Sequence, residues 1–184
     1  MNLEALLDTV PAYGKDLKLN FSTVVGQQQE LTPQQAWGTA VASAYASGNA
    51  ELLRTIVEEA SQKMSAQALD AAKGAATLMG MNNIYYRFLH LTSNEKYRTI
   101  PARLRMNFIR QHGVEHVDFE LWCLAVSAIN GCGACVDSHE KVVRDKGLEE
   151  EKIVAAVRIA AVVHALAKSF TAEAALKVEA PVLA

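Results

Sequence analysis

Apolar residues along the chain recur at three- and four-residue intervals, and alternating runs long enough for strands are nearly absent. The pattern therefore predicts helices and no sheet. Near the start, "LEALLDTV" is amphipathic, and Pro11 is placed to end or kink that helix. The stretch "LTPQQAWGTAVASAYASG" carries Thr32 as an N-cap, Pro33 at the first helical position and Gly48 just past the end. The next helix starts from Asn49 and lines Leu52, Leu53, Ile56 and Val57 along one face. Another starts from Ser65, and its small apolar residues suit burial on several sides.

From Asn82 to His116 the periodicity weakens, broken by Pro101 and Gly113, and the aromatics of this region are expected to cover the core. Then come "DFELWCLAVSAIN", "CGACVDSHEKVVRDKG" and "LEEEKIVAAVRIAAVVHALAKSF", read as three helices broken near Asn130-Gly131 and Gly147.

A shift of 85 residues places Trp37 on Trp122 without a gap. It also pairs Ala40 with Ala125, Val41 with Val126, Val57 with Val142 and Lys73 with Arg158. The pattern predicts one domain over 1–184, built from an internal repeat of approximately 31–90 and 116–175. In this register Gln35 faces Glu120, Ser47 faces Cys132, Ala50 faces Cys135 and Arg54 faces His139. Reactive side chains in the second half alone favour function over packing at those positions.

Composition narrows the picture further. A length of 184 residues, 51% of them hydrophobic, suits one compact domain or two related halves sharing a core. A net charge of -2, from 18 basic and 20 acidic residues, argues against a nucleic-acid footprint and against an anionic membrane surface. No stretch is read as reaching the roughly 20 apolar residues of a membrane span. The N-terminus lacks the basic-then-apolar layout of a signal peptide, so a cytoplasmic protein is expected. In a reducing compartment a close cysteine pair is more often catalytic or metal-binding than a structural staple.

That pair is Cys132-Gly133-Ala134-Cys135, just after the Asn130-Gly131 break and at the start of a predicted helix. The spacing permits a small disulfide, and a helix N-terminus favours thiolate, the nucleophilic form. His139 lies four residues beyond Cys135, one turn on, where it can act as a base toward a thiol directly or through water. Three plainer readings stand beside this one. The cysteines could simply pack; with His139 and Glu120 they could hold a metal, although the second close ligand pair of a structural zinc site is missing; His139 could be a surface residue in a polar run. Cys123, inside an apolar helix, reads as a packing residue. Glu120 is either a dipole partner at a helix start, with Asp118 the better cap, or an inward carboxylate that tunes a histidine.

"MGMNNIYYRF", "LRMN" and "FELWCLAVSAINGCGACVDSHE", with "YGKDLKLN" and "WGTAVASA" near the start, together resemble the AhpD family of alkyl hydroperoxide reductases. This family lies within the carboxymuconolactone decarboxylase-like superfamily, and the likeness runs over nearly the full chain. It implies an all-α AhpD-like fold built on an internal duplication, a homotrimer, and no tightly bound cofactor or metal. It also implies an antioxidant, lipoyl-dependent peroxidase acting on alkyl hydroperoxides and, more widely, on peroxynitrite or hydrogen peroxide. By this resemblance Cys135 is the peroxidatic cysteine, oxidised to sulfenic acid, and Cys132 the proton donor that resolves it as a Cys132–Cys135 disulfide. His139 and Glu120 match the proton relay. The implied electron source is dihydrolipoamide on a lipoylated 2-oxoacid dehydrogenase component, recharged by dihydrolipoamide dehydrogenase and NADH. The implied partner for onward electron transfer is the peroxiredoxin AhpC.

One position departs from the family pattern. The residue before the second cysteine can be a histidine that supports the relay, and here it is Ala134. Intrinsic peroxidase activity is accordingly expected to be modest. Two other enzyme roles stay open at this level: a thiol–disulfide adaptor, and a carboxymuconolactone decarboxylase-like enzyme that needs no paired thiols.

Overall fold

Helices are the regular elements among residues 1–177, which the computed structural model of the protein describes. They are α1 (Leu3–Leu7), α2 (Lys15–Phe21), α3 (Pro33–Ser47), α4 (Ala50–Ala60), α5 (Ala66–Leu91), α6 (His116–Ile129), α7 (Gly133–Asp145) and α8 (Glu150–Leu176). The all-α class expected from the pattern is the one observed. Several starts are set by the residues that sequence singled out. Thr32 and Gln35 form a reciprocal capping box, each side chain bonding the other's backbone N–H at 3.2 Å, with Pro33 in the first turn. Asn49 Oδ1 accepts from Leu52 N at 2.9 Å, and Ser65 Oγ accepts from Ala68 N at 3.1 Å. Gly48 ends α3 at φ 77°, a left-handed conformation that favours glycine.

The second half shows where periodicity misled. Residues 82–91 continue α5 as regular helix instead of loosening after Met81, because no proline or glycine interrupts them. This stretch turns much of its apolar surface outward: Ile84, Phe88 and Leu91 are 57%, 50% and 74% exposed, with Tyr97 packed on Phe88 at 5.3 Å between ring centroids. Tyr85 and Tyr86 are half-buried and, farther on, Phe108 packs on the buried Phe119 at 6.2 Å. Helix α8 was not expected to resemble a membrane span, yet its length and hydropathy satisfy that test. Its apolarity is that of a core helix, with 56% of its most apolar window buried against the rest of the fold.

α3 and α6 form the centre. α3 packs on α5, α6 and α8, while α6 packs on α3, α5, α7 and α8. Every residue of α6 from Asp118 to Ser127 is buried. The two helices come close because Gly38 has no side chain: a Cβ there would lie 2.2 Å from the Trp122 indole, whose Nε1 donates to Gln35 O at 3.3 Å. Shifted by 85 residues, α3, α4 and α5 start within two residues of α6, α7 and α8.

Two predictions follow from this packing. Gly38→Ala drives a methyl into a fully buried indole and is expected to cost about 1–3 kcal/mol, seen as a lower Tm. An unchanged Tm would show that α3 and α6 do not meet this way.

The second concerns His112 and His164, both held below the usual imidazole value of 6.5 by burial, with His116 and Lys168 respectively adding to the effect. The folded state then binds fewer protons than the unfolded chain as pH falls through that value. Stability should rise with pH up to about 6.5 and then level for these two groups. A His112→Asn, His164→Asn double variant should flatten the dependence of Tm on pH between 5.5 and 7.5; an equal slope would remove the claim.

Candidate active site

The turn between α6 and α7 fixes the cysteine pair. Gly131 adopts φ 66°, and Cys132 N donates to Ser127 O at 3.1 Å, so the chain reverses tightly at the end of α6. α5 braces this turn from the side. Arg87 Nη1 donates to the Asn130 carbonyl, and Asn130 Nδ2 donates to Asn83 Oδ1 at 2.9 Å. Asn83 Nδ2 in turn donates to Ser127 Oγ at 2.9 Å. Asn83 and Arg87 stand four residues apart and so share one helix face. The buried Asn83 amide and the half-buried Arg87 guanidinium satisfy the polar groups of the turn.

Cys132 is the N-cap of α7 and Cys135 its third residue, and the two are joined as a disulfide with Cα atoms 5.3 Å apart. The sulfurs are not equivalent. Cys132 is fully buried, whereas Cys135 is 7% exposed and lines a cleft of about 280 Å³ together with His139, Met79, Asn82, Tyr86 and Ala134. Any reagent that enters meets Cys135.

Behind the cleft the structure decides the question of Glu120. It points inward and accepts from His139 Nδ1 at 2.6 Å, and its other oxygen lies 3.5 Å from His116 Nε2. A buried carboxylate needs such partners to offset its lost hydration. The ring's second nitrogen, Nε2, faces Met79 Sδ at 3.2 Å instead of either sulfur of the disulfide. Asp118 is not the cap of α6. That position is Glu115, without a side-chain bond, and Asp118 is held from α3 by Gln34 and Gln35 side-chain amides at 2.7 and 2.8 Å. Gln35 was already committed at one end to the capping box, which is why its free amide end reaches α6.

Cys123 is fully buried; burial pushes its thiol well above the ordinary value and the nearby Glu120 charge adds to this, so it stays protonated and inert. Among the described residues no group of three or more His, Cys, Asp or Glu side chains is arranged to hold a metal ion.

Sequence spacing named Cys132, Cys135 and His139, the family resemblance added Glu120, and the fold brings all four to one place. Met79, Asn82 and Tyr86 were missed as cleft residues, since a long buried helix gives no sign of which face meets a cleft.

A small disulfide at a helix start, backed by a buried carboxylate–imidazole pair, defines an all-helical dithiol–disulfide protein. Residues 96–178 match the Carboxymuconolactone decarboxylase family. Over 173 residues the chain is 65% identical to "Alkyl hydroperoxide reductase AhpD" of Koribacter versatilis, covering 94% of this chain and 89% of that protein. The AhpD proteins of Acidobacterium capsulatum and Solibacter usitatus are 61% and 59% identical, covering 94% and 95% of this chain and 94% and 98% of theirs. The chain belongs to the AhpD family of alkyl hydroperoxide reductases.

Proposed function

We propose that the protein reduces alkyl hydroperoxides through a Cys132–Cys135 dithiol–disulfide cycle fed by protein-bound dihydrolipoamide. The observation that carries this reading is the asymmetry of the disulfide, one sulfur sealed and the other in the cleft. In the oxidative half, the Cys135 thiolate attacks the distal peroxide oxygen and the O–O bond breaks. Cys135 becomes a sulfenic acid and the alkoxide leaves as alcohol. The Cys132 thiol then displaces water from the sulfenic acid and the disulfide forms. His139, supported by Glu120, takes the Cys135 proton and returns it to the leaving oxygen.

In the reductive half, an incoming thiolate reaches Cys135, the accessible sulfur, and Cys132 departs as thiolate at the N-terminus of α7. A second thiol on the same reductant resolves the mixed disulfide, which suits a dithiol such as dihydrolipoamide on a lipoylated 2-oxoacid dehydrogenase component. The same exchange passes electrons to the peroxiredoxin AhpC. A cytoplasmic setting, where dihydrolipoamide dehydrogenase and NADH keep the donor reduced, completes the cycle.

Two further readings go with this one. The matching helix starts support an internal duplication of approximately 31–90 and 116–175, tested by superposing the two backbones. The exposed stripe of Ile84, Phe88 and Leu91 supports assembly of copies into a homotrimer, tested by light scattering.

The function is tested by mixing the protein with lipoamide, its dehydrogenase, NADH and an alkyl hydroperoxide. Peroxide-dependent NADH oxidation well above the rate without the protein is expected. No rate above that background would remove the lipoyl-linked cycle.

A further inference from the structure

Once Cys132 and Cys135 are joined, the cleft has lost its thiolate, but among the described residues that line it one other sulfur remains. Met79 sits beside Cys135, with its Sδ 3.2 Å from His139 Nε2 and 3.7 Å from Asn83 Nδ2. A thioether carries its nucleophilic lone pair without first losing a proton, so it needs no base. It does need an acid for the alkoxide it displaces. With Nδ1–H held by Glu120, the ring carries an Nε2–H against the sulfur in its imidazolium form, and in that form it can supply the proton and recover one from the transferred oxygen.

We propose that Met79 is a second oxidation site of this cleft, converted to methionine sulfoxide by alkyl hydroperoxide while Cys132 and Cys135 are disulfide-bonded. The sulfur lone pair takes the distal hydroxyl oxygen, the O–O bond breaks, and the alkoxide leaves as alcohol. The proton on the transferred oxygen is released to His139. One hydroperoxide is consumed per sulfoxide, and the thioether is oxidised by two electrons with no further reagent. The new S=O oxygen accepts hydrogen bonds better than a thioether and stands where His139 Nε2 already points. It therefore holds the ring away from Cys135, and the site shuts down when peroxide outlasts the supply of reductant. The proposal rests on the reading that the cleft admits alkyl hydroperoxides and is independent of which dithiol reduces the protein.

Burial and cleft chemistry make opposite forecasts. Met79 is 1% exposed, whereas Met1 is 64% exposed and Met64, Met81 and Met106 are half-buried. Accessibility alone ranks Met79 last.

The experiment uses tert-butyl hydroperoxide in two arms. Reduced protein is first tested for thiol loss, which judges the peroxide reading by itself. Disulfide-form protein is then treated, digested and weighed peptide by peptide, and its activity is measured after re-reduction. Met79 is expected to gain one oxygen ahead of Met64, Met81 and Met106. Activity should fall in step and return with methionine sulfoxide reductases. Met79→Leu, compared with its own untreated rate, should keep that rate through the same treatment. Oxidation of Met79 no faster than of those three methionines, or equal fractional inactivation of Met79→Leu and wild type, would overturn the proposal. The mass readout stands even if the thiol arm fails.

Discussion

Cys135→Ser is expected to abolish peroxide-dependent oxidation of dihydrolipoamide, whereas Cys132→Ser should retain the first chemical step and lose turnover. The reason is the unequal placement of the two sulfurs. Cys135 opens to the cleft, so a hydroperoxide reaches it first, and serine there offers a hydroxyl far too weakly acidic to replace a thiolate. Cys132 is sealed under the turn that begins α7, with no route to a ligand in the cleft. Its variant should still consume one equivalent of peroxide and accumulate a sulfenic acid on Cys135, trapped by a dimedone-type reagent. Trapping on Cys132 in the complementary variant instead would reverse the assignment.

The second large effect is expected at Glu120. Glu120→Gln keeps the shape and an acceptor for His139 Nδ1–H but removes the charge that supports the ring when it takes the thiol proton. Loss of an effective acid–base relay costs about a hundredfold in rate, roughly 2.7 kcal/mol of barrier. The test is the rate of thiol oxidation in single-turnover mixing with an alkyl hydroperoxide, with Tm measured alongside. A rate within about twofold of wild type, in a folded variant, would make His139 and Glu120 structural partners only.

Much of this site was legible in the sequence because its parts are local. A C-x-x-C after an Asn-Gly break, with histidine one turn later, fixes its own geometry whatever the tertiary packing does. The helix caps at Thr32, Asn49 and Ser65 are legible for the same reason, since each bonds within three residues of itself. What failed to show are choices made between helices. Asp118 looked like a cap by position, but α3 offered it two amide donors in place of its own backbone. Glu120 could have faced either way until α7 set an imidazole against it. The continuation of α5 through Leu91 was hidden by aromatic and polar residues that weaken an apolar stripe without weakening a helix. Along that hidden stretch sit Asn82 and Tyr86 of the cleft, and Asn83 and Arg87 that brace the cysteine turn.

Ala134 is expected to weaken the peroxidase step while leaving thiol–disulfide exchange intact. Its methyl lines the cleft beside Cys135, where the hydrogen-bonded His139–Glu120 pair is the basic group at hand. The most direct test is the thiol titre of fully reduced protein, measured in denaturant after rapid mixing with one equivalent of an alkyl hydroperoxide. The chain has three cysteines, and Cys123 is buried and inert, so the account predicts a fall from three thiols to one with release of one alcohol. A titre that stays at three, with the hydroperoxide intact, would contradict it.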